Sequence, residues 1–372
     1  MKSLSPSPKK RRKKKSLPNK QSSIVLGLSG GVDSATSAAL LIAQGYRVIG
    51  VTCRFVDDEA SADAVKNAEM VCRHLGIDHF VYDARALFEA QVINPFCRLC
   101  AQGMTPSPCV FCNRNCKIPV LLKAADDLGC EKVATGHYAR VVELVDQGRF
   151  TLKVALDHNK DQSYMLSLLD QDQLSRLVLP LGGYTKQEVR SHAASLGIPV
   201  ATRPESQDLC FVPGDYRDFL LAQGIPDDPG PIVLHSGKVV GEHKGLHHYT
   251  LGQRKGLGVA LGRPCFVVEK RTDDNTLVVG FEEESLIDSV EVDQLNWMAF
   301  DSCEKPFECS VKIRYRSKAV PCTVTPLGQK RVRVTFLNNQ SLTAPGQYAV
   351  FYQGDLLCGG GVISSVRFAQ TL

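Results

Sequence analysis

Two groups of residues in this 372-residue chain have the types and spacing for chemistry. The first is Gly27-Leu28-Ser29-Gly30-Gly31-Val32-Asp33-Ser34, set between an apolar run and an amphipathic one. Its adjacent glycines permit a tight turn and let backbone approach a ligand closely. Ser29 and Ser34 add hydroxyls, and a helix starting there adds N–H groups with partial positive charge, so the segment is suited to cradle an oxyanion. It lacks the Gly-Lys-Ser/Thr ending of a P-loop and is not a G-x-G-x-x-G turn. The second group is sulfur. Four of the fourteen cysteines lie close together as Cys97-x-x-Cys100 and Cys109-x-x-Cys112, with Cys116 just beyond and Cys210 in a separate segment. The spacing places Cys112 near the N-terminus of a helix, where a thiol pKa is lowered. Two cysteines from separate segments facing one activated carbonyl can run a relay. One carries a persulfide, and the other releases its terminal sulfur by forming a disulfide.

The elements that must position these groups alternate from Ser22 onward. Apolar runs at 24–28, 46–53, 79–83 and 132–136 read as strands, and amphipathic stretches at 32–44 and 60–75 as helices. This β-α-β-α rhythm predicts an α/β domain with a parallel sheet. Residues 94–113, with Pro95, Pro106 and Pro108, are expected to form a long loop carrying the four cysteines. Two helices are expected between 162 and 196, and one near 216–223. Short strands at 265–270, 276–279, 310–316, 319–325 and 330–336 suggest a small β-barrel or sandwich. The predicted layout is a basic tail at 1–21, a nucleotide-binding domain at 22–205, a small central module at 206–280 and a β domain at 281–372.

Hydrophobic residues at 44% and charged residues at 22% fit an ordinary globular protein. No apolar run approaches the roughly 18 residues of a membrane span, and no secretory leader pattern is read, so a cytoplasmic protein without membrane association is expected. The net charge of +5 is uneven. Residues 1–20 hold nine Lys or Arg and no acid, which leaves −4 on the other 352. Such a tail can meet nucleic-acid phosphates or stay solvated.

Ser29-Gly30-Gly31-Val32-Asp33-Ser34 resembles the PP-loop of ATP pyrophosphatases, a Rossmann-like α/β fold of the adenine nucleotide alpha hydrolase type. These enzymes split ATP into AMP and pyrophosphate and activate a carbonyl oxygen as its adenylate. Further strings narrow the resemblance: Thr105-Pro106-Ser107-Pro108-Cys109-Val110-Phe111-Cys112-Asn113, Ala134-Thr135-Gly136-His137-Tyr138, Asn159-Lys160-Asp161-Gln162-Ser163-Tyr164, Ser206-Gln207-Asp208-Leu209-Cys210-Phe211, Arg314-Tyr315-Arg316 and Pro345-Gly346-Gln347. Together they make the chain similar to the bacterial tRNA-specific 2-thiouridylase family from about residue 22 almost to its end. The resemblance implies 2-thiolation of the wobble uridine of tRNA, with Cys112 as nucleophile and Cys210 as persulfide carrier. It implies ATP and Mg²⁺ contacts at Gly27, Leu28, Ser29, Gly30, Gly31, Val32, Asp33 and Ser34, with Cys53 and Gly136. It places tRNA contacts at His137, Lys160, Asp161, Gln162, Arg314, Tyr315 and Gln347. The partners would be the tRNA anticodon stem-loop and a persulfide carrier protein.

Alternatives stay open at this level. Cys97, Cys100, Cys109 and Cys112 can bind zinc tetrahedrally, which would make Cys112 a closed structural ligand. Cys109, Cys112 and Cys210 can hold a 4Fe-4S cluster, on which an open iron carries the sulfide. A PP-loop amidoligase needs neither paired thiols nor RNA. His243, His247 and His248 look like a metal group but sit beside Gly252-Gln253-Arg254-Lys255-Gly256, which suits a surface toward tRNA or a brace for the site. Cys72, Cys130, Cys265, Cys303, Cys309, Cys322 and Cys358 read as core, as does Trp297, and Gly359-Gly360-Gly361 as a bend or bulge.

Overall fold

The structure, a computed structural model, describes residues 22–200, 209–212, 214–328 and 330–369. The basic tail and Ser206-Gln207-Asp208 lie outside them. The first apolar run forms the strand Ser23–Gly27, paired in parallel with Arg47–Arg54 on one side and Lys132–Ala134 on the other. Asp78–Asp83 and Leu177–Val178 extend this into a five-stranded parallel sheet. Ile24, Leu26 and Leu28 pack with Ala38 and Leu41 on one face. Val25, Ile49, Val51 and Val133 pack with Leu121 and Ala124 on the other. Both faces are therefore covered, which is why the strand reads as a continuous apolar run.

The expected long loop at 94–113 is mostly helix. Asn94–Ala101 is helical with Pro95 in its first turn, and Pro108–Cys112 opens a second helix with Pro108 at its first position. Pro108 costs little there, since first-turn N–H groups have no intrahelical acceptor. Each of the two helical runs also contains a π-helical turn, Glu89–Ile93 and Asn113–Lys117, and each turn ends shortly before a proline, Pro95 and Pro119. A proline inside a helix removes one i→i−4 bond and its ring strikes the i−4 carbonyl. An i→i+5 turn relieves both and keeps the helix continuous.

Beyond the sheet, Gly230–Leu234, Val239–His243, Phe266–Arg271 and Thr276–Gly280 form a four-stranded central sheet. Six C-terminal strands, from Leu286–Trp297 to Leu356–Phe368, close into a barrel because the last pairs with the first. The hairpin Arg140–Leu144 and Arg149–Lys153, from the N-terminal part of the chain, adds to the edge of Leu356–Phe368 and ties the two ends of the molecule together. Gly359 and Gly361 are not at a bend but inside that continuous strand. A Cβ on Gly359 would lie 2.5 Å from the Asn296 carbonyl oxygen and 2.7 Å from the Trp297 ring. Close packing excludes the side chain, and a bulge does fall beside these glycines: Phe351 pairs with Gly359 and Tyr352 with Leu357, which leaves Cys358 as the extra residue, and the pairing with Asp293 and Asn296 also shifts between Val362 and Gly360. Trp297 itself stacks on Phe351 at 5.3 Å.

Candidate active site

The phosphate loop joins the carboxyl end of Ser23–Gly27 to the helix Val32–Ala43, which has Gly31 at its N-cap. Gly30 has a φ of 70° and packs against the helix Glu59–Leu75. Ser34 Oγ donates to the Gly31 carbonyl at 3.1 Å and lies 3.3 Å from both the Ser29 N–H nitrogen and Ser29 Oγ, so the turn is laced internally. Leu28, Gly30 and Val32 are buried, leaving Ser29 and Gly31 as the open face of the cradle. Gly136 is drawn against this turn: a Cβ there would lie 3.0 Å from the Ser34 nitrogen. Asp33 accepts from Lys186 Nζ at 2.7 and 2.8 Å and from the Tyr138 hydroxyl at 2.8 Å.

Sulfur gathers at the same sheet edge. Cys112 is buried at the end of Pro108–Cys112, in an apolar cluster with Phe88, Phe96, Cys116 and Phe211. Cys210 is exposed on a turn anchored by Phe211, whose ring meets Phe88, Phe96 and Phe219 at 5.4–5.6 Å. Charge on Cys210 and on Cys109 bears on Cys112, and Cys53 lies within electrostatic reach of Cys112. The shared neighbour is Lys117. Burial alone would lower its pKa, yet Cys112, Cys210, Cys109 and Cys53 together raise it. Lys117 also offers its backbone N–H to the Cys112 sulfur. In a regular helix of 3.6 residues per turn, a residue five positions on lies well around the barrel of the helix. The π-helical turn brings Lys117 back over Cys112.

The helix N-terminus does not activate Cys112. Cys112 is the fifth residue of its helix, beyond the first-turn N–H groups, and burial pushes its thiol up to about 11, with Lys117 opposing. The ordinary thiol value is 9.0, so below pH 9 its thiolate fraction is about 100-fold smaller. Part of that is returned by the greater nucleophilicity of a more basic sulfur, leaving about tenfold slower alkylation. Brief iodoacetamide pulses on substrate-free protein, read by peptide mass spectrometry, should show Cys112 labelling still climbing between pH 9 and 10. A plateau below pH 9 would contradict the raised pKa.

The zinc expectation on Cys97, Cys100, Cys109 and Cys112 is not met by the geometry. Among the described residues, no three of these sulfurs converge within ion-binding distance. Cys97 and Cys100 sit on a different helix, and the charges that bear on Cys100 are Cys97 and Lys270. Cys100 lines a 440 Å³ cavity with Phe96, Thr105, Tyr216 and His247 that includes neither Cys112 nor Cys210.

The residues expected to meet tRNA divide by position. His137 lies in the sulfur group, next to Gly136. Burial and then Lys117 hold its pKa down to about 3, so the ring is neutral, and its Nδ1 is 2.8 Å from Thr135 Oγ1. Tyr315 lies within electrostatic reach of Cys109 and 6.0 Å from the Tyr164 ring. Gln162 braces the strand end, its Oε1 accepting from the Tyr138 N–H at 2.9 Å, and Lys160 caps a nearby turn through its N–H to the Asp157 carbonyl. Arg314 donates to the carbonyls of Leu251 and Leu342, which joins the central module to the barrel. Gln347 donates to the Thr105 carbonyl, and Lys270 to that of Gly103 at 2.9 Å, so barrel and central module both hold the segment leading to Cys109.

Asp161 is a correction. Its side chain is 2% exposed, and its carboxylate accepts from the N–H of Ala155, the N–H and Oγ of Ser163, and Lys312. Nothing is left for a polyanion, so its role is to brace the segment that carries Lys160 and Gln162. Asp161→Ala should lower stability by about 3 kcal/mol, because it strands Lys312 and two N–H groups. The thermal midpoint should fall while the salt slope of tRNA binding stays unchanged; the reverse pattern would restore a direct contact.

Lys117, Lys186 and Asn113 were not singled out by sequence. Pro119 is the signal for Lys117, since it forces the π-helical turn. Lys186 is far from Asp33 in sequence and has no local signature. Asn113 is buried beside Cys112, donating to the Met165 carbonyl at 3.0 Å while its Oδ1 has no partner.

Family models match three consecutive parts of the chain: "tRNA methyl transferase HUP domain" at 22–214, "tRNA methyl transferase PRC-barrel domain" at 217–281 and "Aminomethyltransferase beta-barrel domain" at 287–363. The chain is 44% identical to the tRNA-specific 2-thiouridylase MnmA of Carboxydothermus hydrogenoformans, over 91% of this chain and 97% of that protein. It is 44% identical to the protein of the same name from Heliobacterium modesticaldum, over 91% and 92%. It is 41% identical to that of Halothermothrix orenii, over 91% and 98%.

Proposed function

Since this chain belongs to the tRNA-specific 2-thiouridylase family and is a tRNA sulfurtransferase, we propose that it adenylates the C2 oxygen of the wobble uridine with ATP and then delivers sulfur from a persulfide on Cys210. The observation that carries this reading is Lys117. One ammonium feels Cys112, Cys210, Cys109 and Cys53, and acts on His137 next to the glycine packed on the phosphate loop. This supports a reading in which sulfur and phosphate chemistry act on one carbonyl. The names of the family models speak of methyl transfer, but paired cysteines beside an adenylating loop favour sulfur transfer.

In the first step the uracil C2 oxygen attacks the α-phosphorus and pyrophosphate leaves, held by Ser29, Gly30, Gly31, Ser34 and the N–H groups of the helix start. Mg²⁺, when bound, would neutralise charge on the phosphates, but both oxygens of Asp33 are already held by Lys186 and one by Tyr138, so Asp33 does not offer it a free ligand. Lys186, paired with Asp33, supplies a fixed cation beside the leaving group. The terminal sulfur of the Cys210 persulfide then attacks C2, and AMP leaves with the electrons of the C2–O bond. The Cys112 thiolate, with Lys117 as its counter-ion, attacks the Cys210 sulfur. The persulfide S–S bond breaks, the C2 thiocarbonyl is left behind, and a Cys112–Cys210 disulfide forms. The sulfane sulfur is reduced as the two cysteines are oxidised. A thiol reductant must reopen the disulfide and a persulfide carrier protein must reload Cys210. The target base has to leave its stack to reach a buried thiol, and the Tyr315 ring offers a face for it. Lys160 and the basic tail are suited to anticodon stem-loop phosphates.

The test is nucleoside mass spectrometry of unmodified tRNA incubated anaerobically with the protein, ATP, Mg²⁺ and a persulfide donor. 2-Thiouridine with matching AMP and pyrophosphate is expected; AMP without 2-thiouridine would favour an amidoligase and overturn the proposal. A second reading rests on Cys109, which bears electrostatically on both Cys112 and Cys210. Three such thiolates are a donor set for an iron–sulfur cluster. That reading requires about four irons per chain and thiolation from free sulfide.

A further inference from the structure

We propose that Asp227, His247 and His248 bind a divalent transition-metal ion, of the zinc or cobalt class, on the central module. His243, the third histidine of the sequence cluster, is elsewhere, its Nε2 3.0 Å from the Asn275 carbonyl oxygen. His247 and His248 share the short turn Leu246–His248, and both turn Nε2 toward one oxygen of Asp227. The distances are 3.6 Å for His247 and 2.6 Å for His248, and all three ligand atoms lie within 4.8 Å of one another. A tetrahedral ion with bonds of about 2.0–2.2 Å holds its ligand atoms roughly 3–3.5 Å apart, so small rotations complete the set.

An independent feature points to a ligand. The His247 side chain is only 7% exposed, yet its Nε2 is buried with no hydrogen-bond partner. At 3.6 Å the Asp227 oxygen is beyond hydrogen-bond length, and a buried ring nitrogen left unmet is unfavourable. The surroundings hold the geometry: the Tyr216 hydroxyl donates to the His247 carbonyl at 3.2 Å, and Asn275 Nδ2 donates to the carbonyls of Asp228 and Pro229. Asp227 is 46% exposed, so the fourth position would face water. Two imidazoles and a carboxylate select a borderline cation over calcium or magnesium. The ion would fasten the segment after the helix Tyr216–Ala222 to the turn that continues into Thr250, whose hydroxyl lies 3.4 Å from that of Thr105 ahead of Cys109.

The experiment uses the full chain, freed of metal with a chelator under reducing conditions and titrated with cobalt(II). One equivalent should bind with visible d–d bands and no intense thiolate-to-cobalt charge transfer, which separates this site from the cysteines. His247→Gln and the exposed-site variant Asp227→Asn should each weaken binding by more than about 100-fold, beyond what an outer-shell partner costs. Zinc should raise the thermal midpoint of the wild type and leave that of both variants unmoved. Unchanged melting of the metal-free variants would show that they fold. A spectrum dominated by thiolate charge transfer, or one-equivalent binding that survives both substitutions, would overturn the proposal.

Discussion

Cys112→Ser should abolish 2-thiouridine formation, by at least about 10⁴-fold, the scale on which enzymes lose rate with a nucleophile. A serine hydroxyl cannot open a persulfide, and Cys109, which also bears on Cys210, is itself partly buried with its thiol pushed up. Cys116 and Cys53 are near, but burial pushes both up to about 12, above Cys112. Adenylation should survive, because Cys112 lies outside the phosphate loop, so tRNA-dependent pyrophosphate release is expected to persist. Folding should survive as well. The side chain is buried among Phe88, Phe96 and Phe211, and a serine hydroxyl there costs about 1–2 kcal/mol. Nucleoside mass spectrometry with a thermal melt on the same preparation decides it. Thiolation within tenfold of wild type would remove Cys112 from the chemistry.

Gly30→Ala should weaken ATP binding by at least about 100-fold and lower stability by about 2–3 kcal/mol. The φ of 70° costs an L-residue about 1 kcal/mol. Its Cβ would also lie 2.6 Å from the Ala64 carbonyl oxygen and 2.9 Å from Asn67 Cβ. A helix backbone carbonyl cannot swing away, so the overlap adds about 1–2 kcal/mol or displaces the turn. Gly31→Ala is the control: its nearest neighbour is Ser29 Oγ at 3.6 Å, an ordinary contact. Calorimetric ATP titration of the two variants should separate them sharply. Equal affinities would mean that the turn does not cradle the nucleotide.

Much of the site was legible because its signals are local. A strand, a glycine turn and a helix start are contiguous, and the parallel sheet follows from apolar runs buried on both faces. Residues 94–113 read as a loop for an equally local reason: Pro95 and Pro108 look like breakers in sequence, whereas Pro108 opens a helix and a π-helical turn accommodates Pro95. Asp161 reads as solvated in the sequence because a carboxylate beside a lysine looks exposed until Lys312 is brought to it from the barrel. The activation of Cys112 was misjudged because the sign of a thiol shift depends on burial, which sequence does not show.

By itself the sequence determined the parallel-sheet domain, the phosphate turn and the two cysteine segments, since each depends on residues that are neighbours along the chain. Only the tertiary structure decided which cysteines meet. Among the described residues it kept Cys97, Cys100, Cys109 and Cys112 from converging on one ion, and it set Lys117 by the sulfurs through a π-helical turn. It also brought Lys270 and Gln347 from two later parts of the chain onto the segment before Cys109. Electrostatic coupling falls with distance in space rather than along the chain, so the charge on one ammonium reaches four thiols that the sequence keeps apart.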